Sequence, residues 1–100
     1  MKLIVHPEVE EDMATAASHY DGIDIELGDA FVAEVYRCVA VAQSAPLIYP
    51  AFFSECRRVP CRRFPYRVIY EVIEDAKAIH VLAVFHQSRH PEAWKDRLES

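Results

Sequence analysis

The chain is 100 residues long, 52% apolar and 27% charged, which fits one compact domain over residues 1–100 and excludes a wholly disordered chain. Two glycines leave no room for a Rossmann or Walker phosphate loop, no apolar run nears the roughly 18–20 residues that span a bilayer, and the stretch from Met1 to Pro7 is no signal peptide, so a cytoplasmic protein with no membrane partner is expected. The formal net charge of −5, taken alone, argues against nucleic acid as a partner.

Lys2 to Val5 is a short β-prone run. Pro7 suits the first position of a helix, with Glu8, Glu10 and Glu11 at the positive end of its dipole and His6 as a weak N-cap. Val9, Met13, Ala16, Ala17 and Tyr20 form an apolar stripe at helical spacing. Asp21-Gly22 breaks it, and Asp24 opens a second helix. Leu27, Phe31, Val35, Cys38, Val39 and Ala42 carry the spacing on to Ser44, giving an αα-hairpin. Pro46 and Pro50 lead into a loop in which Phe52 and Phe53 are expected to be exposed.

From about Arg57 the period changes to two. Arg62 to Phe64 reads as a strand, with Pro60 marking an edge or a bulge. Tyr66, Val68, Tyr70 and Val72 alternate with Arg67, Ile69, Glu71 and Ile73, and Glu74 to Lys77 supply a turn. Ala78 to Phe85 is apolar on both faces apart from His80, as a central strand is. Pro91 to Leu98 reads as a short helix anchored by Trp94. The order predicts an α+β fold. An N-terminal strand and an αα-hairpin precede an antiparallel sheet of three to four strands and a short C-terminal helix, the hairpin packing on the Val68, Tyr70 and Val72 side. Tyr66 and Tyr70 then belong to the core rather than to a stacking platform for bases.

The total charge hides a steep asymmetry. Residues 1–56 carry ten acids against Lys2 and Arg37, a net of −8, while residues 57–70 carry Arg57, Arg58, Arg62, Arg63 and Arg67 and no acid, a net of +5. Residues 71–100 carry four basic groups and six acids, a net of −2. Such density exceeds what edge protection of a strand requires, and points to a patch for phosphate or for an acidic partner. His86, Arg89 and His90 follow the central strand, where loops commonly carry sites. A histidine with arginines suits general acid–base attack on a phosphodiester. Metal ligation by His86 and His90 is a poor fit, as no third ligand is indicated. Three cysteines without a CxxC pair fit reduced, mostly buried thiols, so neither a metal nor another cofactor is expected. His6, His19 and His80 carry no signal, and the pairs Glu10/Glu11 and Glu74/Asp75 read as solvated.

The run Arg62-Arg63-Phe64-Pro65-Tyr66-Arg67-Val68-Ile69-Tyr70, with Val84-Phe85-His86-Gln87-Ser88-Arg89-His90-Pro91 and Trp94, resembles the ParE/RelE toxin superfamily. The opening Pro7-Glu8-Val9-Glu10-Glu11-Asp12 before an amphipathic helix is similar as well. The resemblance spans nearly the whole chain and implies the fold just derived. It also implies the toxin of a type II toxin–antitoxin pair, neutralised by a cognate antitoxin. RelE-like members cleave ribosome-bound messenger RNA without a metal, whereas ParE-like members poison DNA gyrase. Arg67 falls on a RelE-type strand arginine and Arg89 near a second, so a nuclease would use Arg67, His86 and Arg89. The lysines of the earlier catalytic strand are absent, however, and Trp94 stands in the region of the late tyrosine, where it offers no acid or base. The Phe-Pro-Tyr and Arg-His-Pro…Trp forms are more similar to the ParE-like, plasmid-stabilisation branch. A non-nucleolytic gyrase inhibitor is therefore expected, with ribosome and mRNA as the alternative targets, or a non-toxic relative that retains antitoxin binding. The antitoxin or target surface is expected to comprise Arg57, Arg58, Arg62, Arg63, Arg67 and Arg89.

Overall fold

The computed structural model describes residues 1–90 and 92–99. Strand β1 (Lys2–Val5) leads into helices α1 (Val9–Asp21) and α2 (Ile25–Ser44), then β2 (Cys56–Pro60), β3 (Tyr66–Ile73) and β4 (Ala78–His86). A single turn of helix, α3 (Glu92–Lys95), and a 3-10 turn over Asp96–Glu99 close the chain. The expected start of the last helix at Pro91 lies outside the described residues.

The strands form one sheet in the order β1-β4-β3-β2. β2, β3 and β4 are an antiparallel meander, whereas β1 runs parallel to β4, pairing Lys2 with Ala78 and Val5 with Val81. The sheet is therefore mixed, not purely antiparallel. The reason is connectivity: the αα-hairpin is a crossover long enough to return the chain in the same direction. β4 is central, as its apolar character predicted, and Pro60 ends an edge strand.

Two expected boundaries move. Arg62 to Phe64 is not strand, because β2 pairs with β3 only from Cys56 to Pro60 and the chain then leaves the sheet. Arg63 adopts a φ of 71° in that turn. At the start of α1 the N-cap is Glu8 rather than His6. His6 is buried and acts one turn earlier, its Nδ1 accepting from the Glu8 N–H at 3.2 Å. Asp24 caps α2 as predicted, accepting from the Glu26 N–H at 2.9 Å.

The helical hairpin covers one face of the sheet. Phe31, Val35, Cys38 and Ala42 of α2 and Val9 and Ala16 of α1 meet Val59, Val68, Tyr70, Val72, Ile79, Val81 and Val84. Tyr70 sits in this core with its hydroxyl donating to the Pro46 carbonyl at 2.7 Å. Opposite the helices, Cys56, Ile69, Leu82, Ala83 and Phe85 form a second, smaller core under Trp94. A bulge joins the two faces: the pairing steps from Ile69↔Ala83 to Tyr70↔Val81, so that Leu82 and Ala83 both face Trp94. Cover on both faces explains why β4 is apolar apart from His80 and the terminal His86.

Candidate functional site

Strand alternation divides the arginine block. Arg57 points to the helix side, where its Nη1 donates to the Tyr49 carbonyl while its Nε stays buried without a hydrogen-bond partner. Arg58, one residue on, points to the opposite face and lies over the Phe52 ring at 4.5 Å. Pairing across the sheet sets Arg58 beside Ile69 and Pro60 beside Arg67, which puts Arg67 on that same face. Arg62 and Arg63 lie in the turn beyond β2, at the edge of α2, in a shallow cleft with Ala30, Glu34, Arg37 and Phe64. The expected single surface of six arginines is thus two separate patches plus one inward-turned side chain.

One patch is a cleft on the sheet face opposite the helical hairpin. Arg58, Arg67 and Arg89 surround a floor of Phe52, Phe85 and Trp94, with His86 at one end. Arg89 stacks on Phe85 at 3.9 Å from its ring centre. Trp94 is only 1% exposed and meets Phe52 and Phe53 edge-on at centroid distances of 5.7 and 6.1 Å. Phe52 is accordingly half-buried and only Phe53 is exposed, against the expectation for both. Among the described residues that line this cleft there is no carboxylate, so an anion there meets arginine without a competitor from them.

His86 has a defined tautomer. Its Nδ1 accepts from the Ser88 N–H at 3.0 Å and lies 2.7 Å from the Ser88 hydroxyl. A nitrogen that accepts from a backbone amide is unprotonated, which places the neutral ring's hydrogen on Nε2. The other ring nitrogen, Nε2, is then a hydrogen-bond donor. His90, exposed, is occupied similarly by the Glu92 N–H at 3.2 Å. Arg67, His86 and Arg89 do converge in one cleft, as the resemblance implies, but with an imidazole oriented as a donor.

Two arrangements were not visible in the sequence. Glu34 on α2 gathers Arg37 at 2.7 and 2.8 Å and also the backbone N–H of Arg62. The Arg37 guanidinium, chiefly, holds this carboxyl down to about 2. Beside it the Cys38 and Cys61 sulfurs are 3.8 Å apart. The second arrangement is at the far end of β4. Asp12, in the first turn of α1, accepts from the Val84 N–H at 3.0 Å and from both Arg97 terminal nitrogens at 2.6 and 3.0 Å. Glu10 and Glu11 are exposed as expected. No motif marks the long-range ties, because Arg62 lies 28 positions from Glu34 and Arg97 lies 85 from Asp12.

Comparison with known proteins places this geometry. A family model described as ParE toxin of type II toxin-antitoxin system, parDE, matches residues 3–91. The structure is similar to a chain of the chromosomal ParDE toxin–antitoxin system from P. aeruginosa, with a TM-score of 0.74 and 19% identity over 86% of this chain and 95% of that one. It is also similar to the isolated E. coli RelE toxin, with a TM-score of 0.64 and 15% identity over 98% of this chain and 95% of that one. No curated protein matches in sequence. Both structural likenesses speak for the fold, and the family match covers most of the chain. The chain belongs to the ParE toxin family of type II toxin–antitoxin systems.

Proposed function

We propose that this protein is a non-nucleolytic toxin that inhibits DNA gyrase by protein–protein contact and is neutralised by a cognate antitoxin. The observation that carries the reading is the chemistry of the arginine cleft. Among the described residues its lining has three guanidiniums, no carboxylate, and one imidazole whose Nδ1 is engaged by Ser88. Cleavage of RNA by its own 2′-hydroxyl needs a group that takes a proton, and arginine does not. A cationic cleft floored by Phe52, Phe85 and Trp94 suits instead the acidic and aromatic side chains of a protein partner. A net charge of −5 is tolerated by such a partner more readily than by phosphate-rich RNA. The similarity to a chain of a ParDE toxin–antitoxin system supports an antitoxin as one partner.

Purified protein is expected to block supercoiling of relaxed plasmid by gyrase, and added antitoxin to restore it. Undiminished supercoiling at excess toxin would sink the gyrase reading. The convergence of Arg67, His86 and Arg89 in one cleft favours ribosome-dependent mRNA cleavage as the second reading. Primer extension on translated messages distinguishes it: new 5′ ends that vanish in Arg67→Ala would establish a nuclease. Expression without growth arrest, together with tight antitoxin binding, would mark a non-toxic relative.

A further inference from the structure

Cys38 lies on the inward face of α2 and is fully buried, while Cys61 directly follows β2 and is partly exposed. They are 23 positions apart in the chain, yet their sulfurs touch at 3.8 Å. The contact is built, because the turn that carries Cys61 is tied to α2 by the Arg62 N–H donating to Glu34. Arg37 Nη2 stands 3.7 Å from the Cys38 sulfur. The hydrogen bond between the two thiols, helped by the Arg37 charge, holds the Cys38 thiol below its ordinary value against burial and the Glu34 carboxylate, while the same contact pushes Cys61 up. Of the two, Cys38 therefore gives up its proton more readily than Cys61. Cys56 differs: it sits in the second core on the opposite face, and burial pushes it up to about 11.

We propose that Cys38 and Cys61 form a reversible redox modification site, which a peroxide converts into an intramolecular disulfide. The thiolate of the pair attacks one oxygen of hydrogen peroxide. The O–O bond breaks, hydroxide leaves and is protonated to water, and the attacking sulfur becomes a sulfenic acid. The second sulfur then attacks the first. An S–S bond forms, the S–O bond breaks, and the departing hydroxyl takes the second thiol's proton to leave as water. Two thiols and one peroxide give one disulfide and two waters, with two electrons passed to the peroxide.

Closing the bond requires the sulfurs to approach from 3.8 Å to about 2.05 Å. Cys61 lies in a turn outside the sheet and can supply that movement, while Cys38 is fixed in the middle of α2. The product pins the turn bearing Arg62 and Arg63 to α2. Glu34 lies close enough that it and the two sulfurs fall within 4.8 Å of one another, a spacing that also suits a thiophilic metal. Its carboxylate, however, is already committed to Arg37 and to the Arg62 N–H. The Cys38 sulfur has only longer contacts of 3.7–3.9 Å, with Arg37, Glu34 and the Pro60 carbonyl, and oxidation is the chemistry that the pair favours.

The test uses the full-length reduced protein, treated with hydrogen peroxide, alkylated, and read by intact mass and non-reducing peptide mapping. The expected product has lost about 2 Da, joins the Cys38 peptide to the Cys61 peptide, and reverts with dithiothreitol. Cys56 should remain alkylated, and Cys56→Ser should oxidise like the parent. The map of the unsubstituted protein needs no variant, so a folding defect in Cys61→Ser cannot obscure it. The proposal is overturned if all three thiols stay alkylated. It is equally overturned if the bridge involves Cys56 or a second molecule, or if Cys61 is overoxidised without a bridge. Stoichiometric zinc that shields the pair would overturn it in favour of a metal centre.

Discussion

Arg97 holds the open side of β4 beyond the last residue of β1. β1 pairs with β4 only as far as Val81, which leaves the Leu82 carbonyl and the Val84 N–H without strand partners on that side. Arg97 donates to the Leu82 carbonyl at 2.9 Å and to Asp12, and Asp12 in turn accepts from the Val84 N–H at 3.0 Å. The pair therefore substitutes for a missing stretch of strand, and both side chains are at most 8% exposed. Removing one partner leaves a buried charge uncompensated, so Arg97→Ala is expected to destabilise the fold by about 3–5 kcal/mol in urea titration. A loss below 1 kcal/mol would show that water replaces the pair. Glu34 gives a pH-dependent counterpart. Its carboxyl, held at about 2 against an ordinary 4.5 chiefly by Arg37, contributes stability that is complete above 4.5 and disappears as the pH falls towards 2. Glu34→Gln should flatten the loss of stability across that acid range, measured by denaturation at a series of pH values. An unchanged slope would assign the acid sensitivity to other carboxylates. The Asp12–Arg97 partnership was not legible in the sequence. Asp12 and Arg97 are 85 positions apart, and an acid in the first turn of a helix is explained equally well by the helix dipole.

At the scale of elements, α3 is too short to be stable by itself and depends on its tryptophan. Trp94 closes the second core over Leu82, Ala83 and Phe85, so Trp94→Ala should cost about 3–5 kcal/mol and release α3 from the sheet. Faster amide exchange in residues 92–99 than in β3 would confirm the release, and uniform protection would refute it. The cap of α2 is a milder case: Asp24→Ala should cost about 1 kcal/mol, read from the shift in the denaturation midpoint. The helices and β3 were legible because each has one apolar face that repeats at 3.6 or 2 residues. β2 was misplaced because its real strand, Cys56–Pro60, has only Cys56 and Val59 buried, and two buried residues three apart do not alternate. The parallel pairing of β1 was equally hidden. All four of its residues are exposed, so no buried face recorded its neighbour or its direction.

For the whole molecule, the radius of gyration of 13.1 Å matches the roughly 13 Å of a compact 100-residue fold, and charges close in sequence are divided between different clefts on it. The cleft with Arg58 and Arg67 lies on the sheet face opposite the helices, and Arg62 and Arg63 lie beside α2. An antitoxin that spans both patches should lose affinity on reversal at either, by about tenfold each. With no shared contact, Arg62→Glu and Arg67→Glu should then add in free energy, as measured by calorimetry at fixed salt. Loss on only one reversal would limit the antitoxin to that patch. If Arg67→Glu also abolishes gyrase inhibition while Arg62→Glu leaves it intact, the cleft is the toxic surface.

By itself the sequence determined the helices, β3 and β4, the α+β class and the family. These depend on local periodicity, on capping and turn residues, and on contiguous motifs such as Phe64-Pro65-Tyr66-Arg67. It also determined that a +5 block interrupts an acidic chain. How that block is deployed was decided only by the tertiary structure. Alternation turns Arg57 and Arg58 to opposite faces, the end of pairing at Pro60 sends Arg62 and Arg63 into a turn, and renewed pairing returns Arg67 to the cleft. The Cys38–Cys61 contact, the Asp12–Arg97 pair and the orientation of His86 belong to the same class. Each depends on where the packed elements bring side chains together, and a linear pattern of residue types carries no record of that distance.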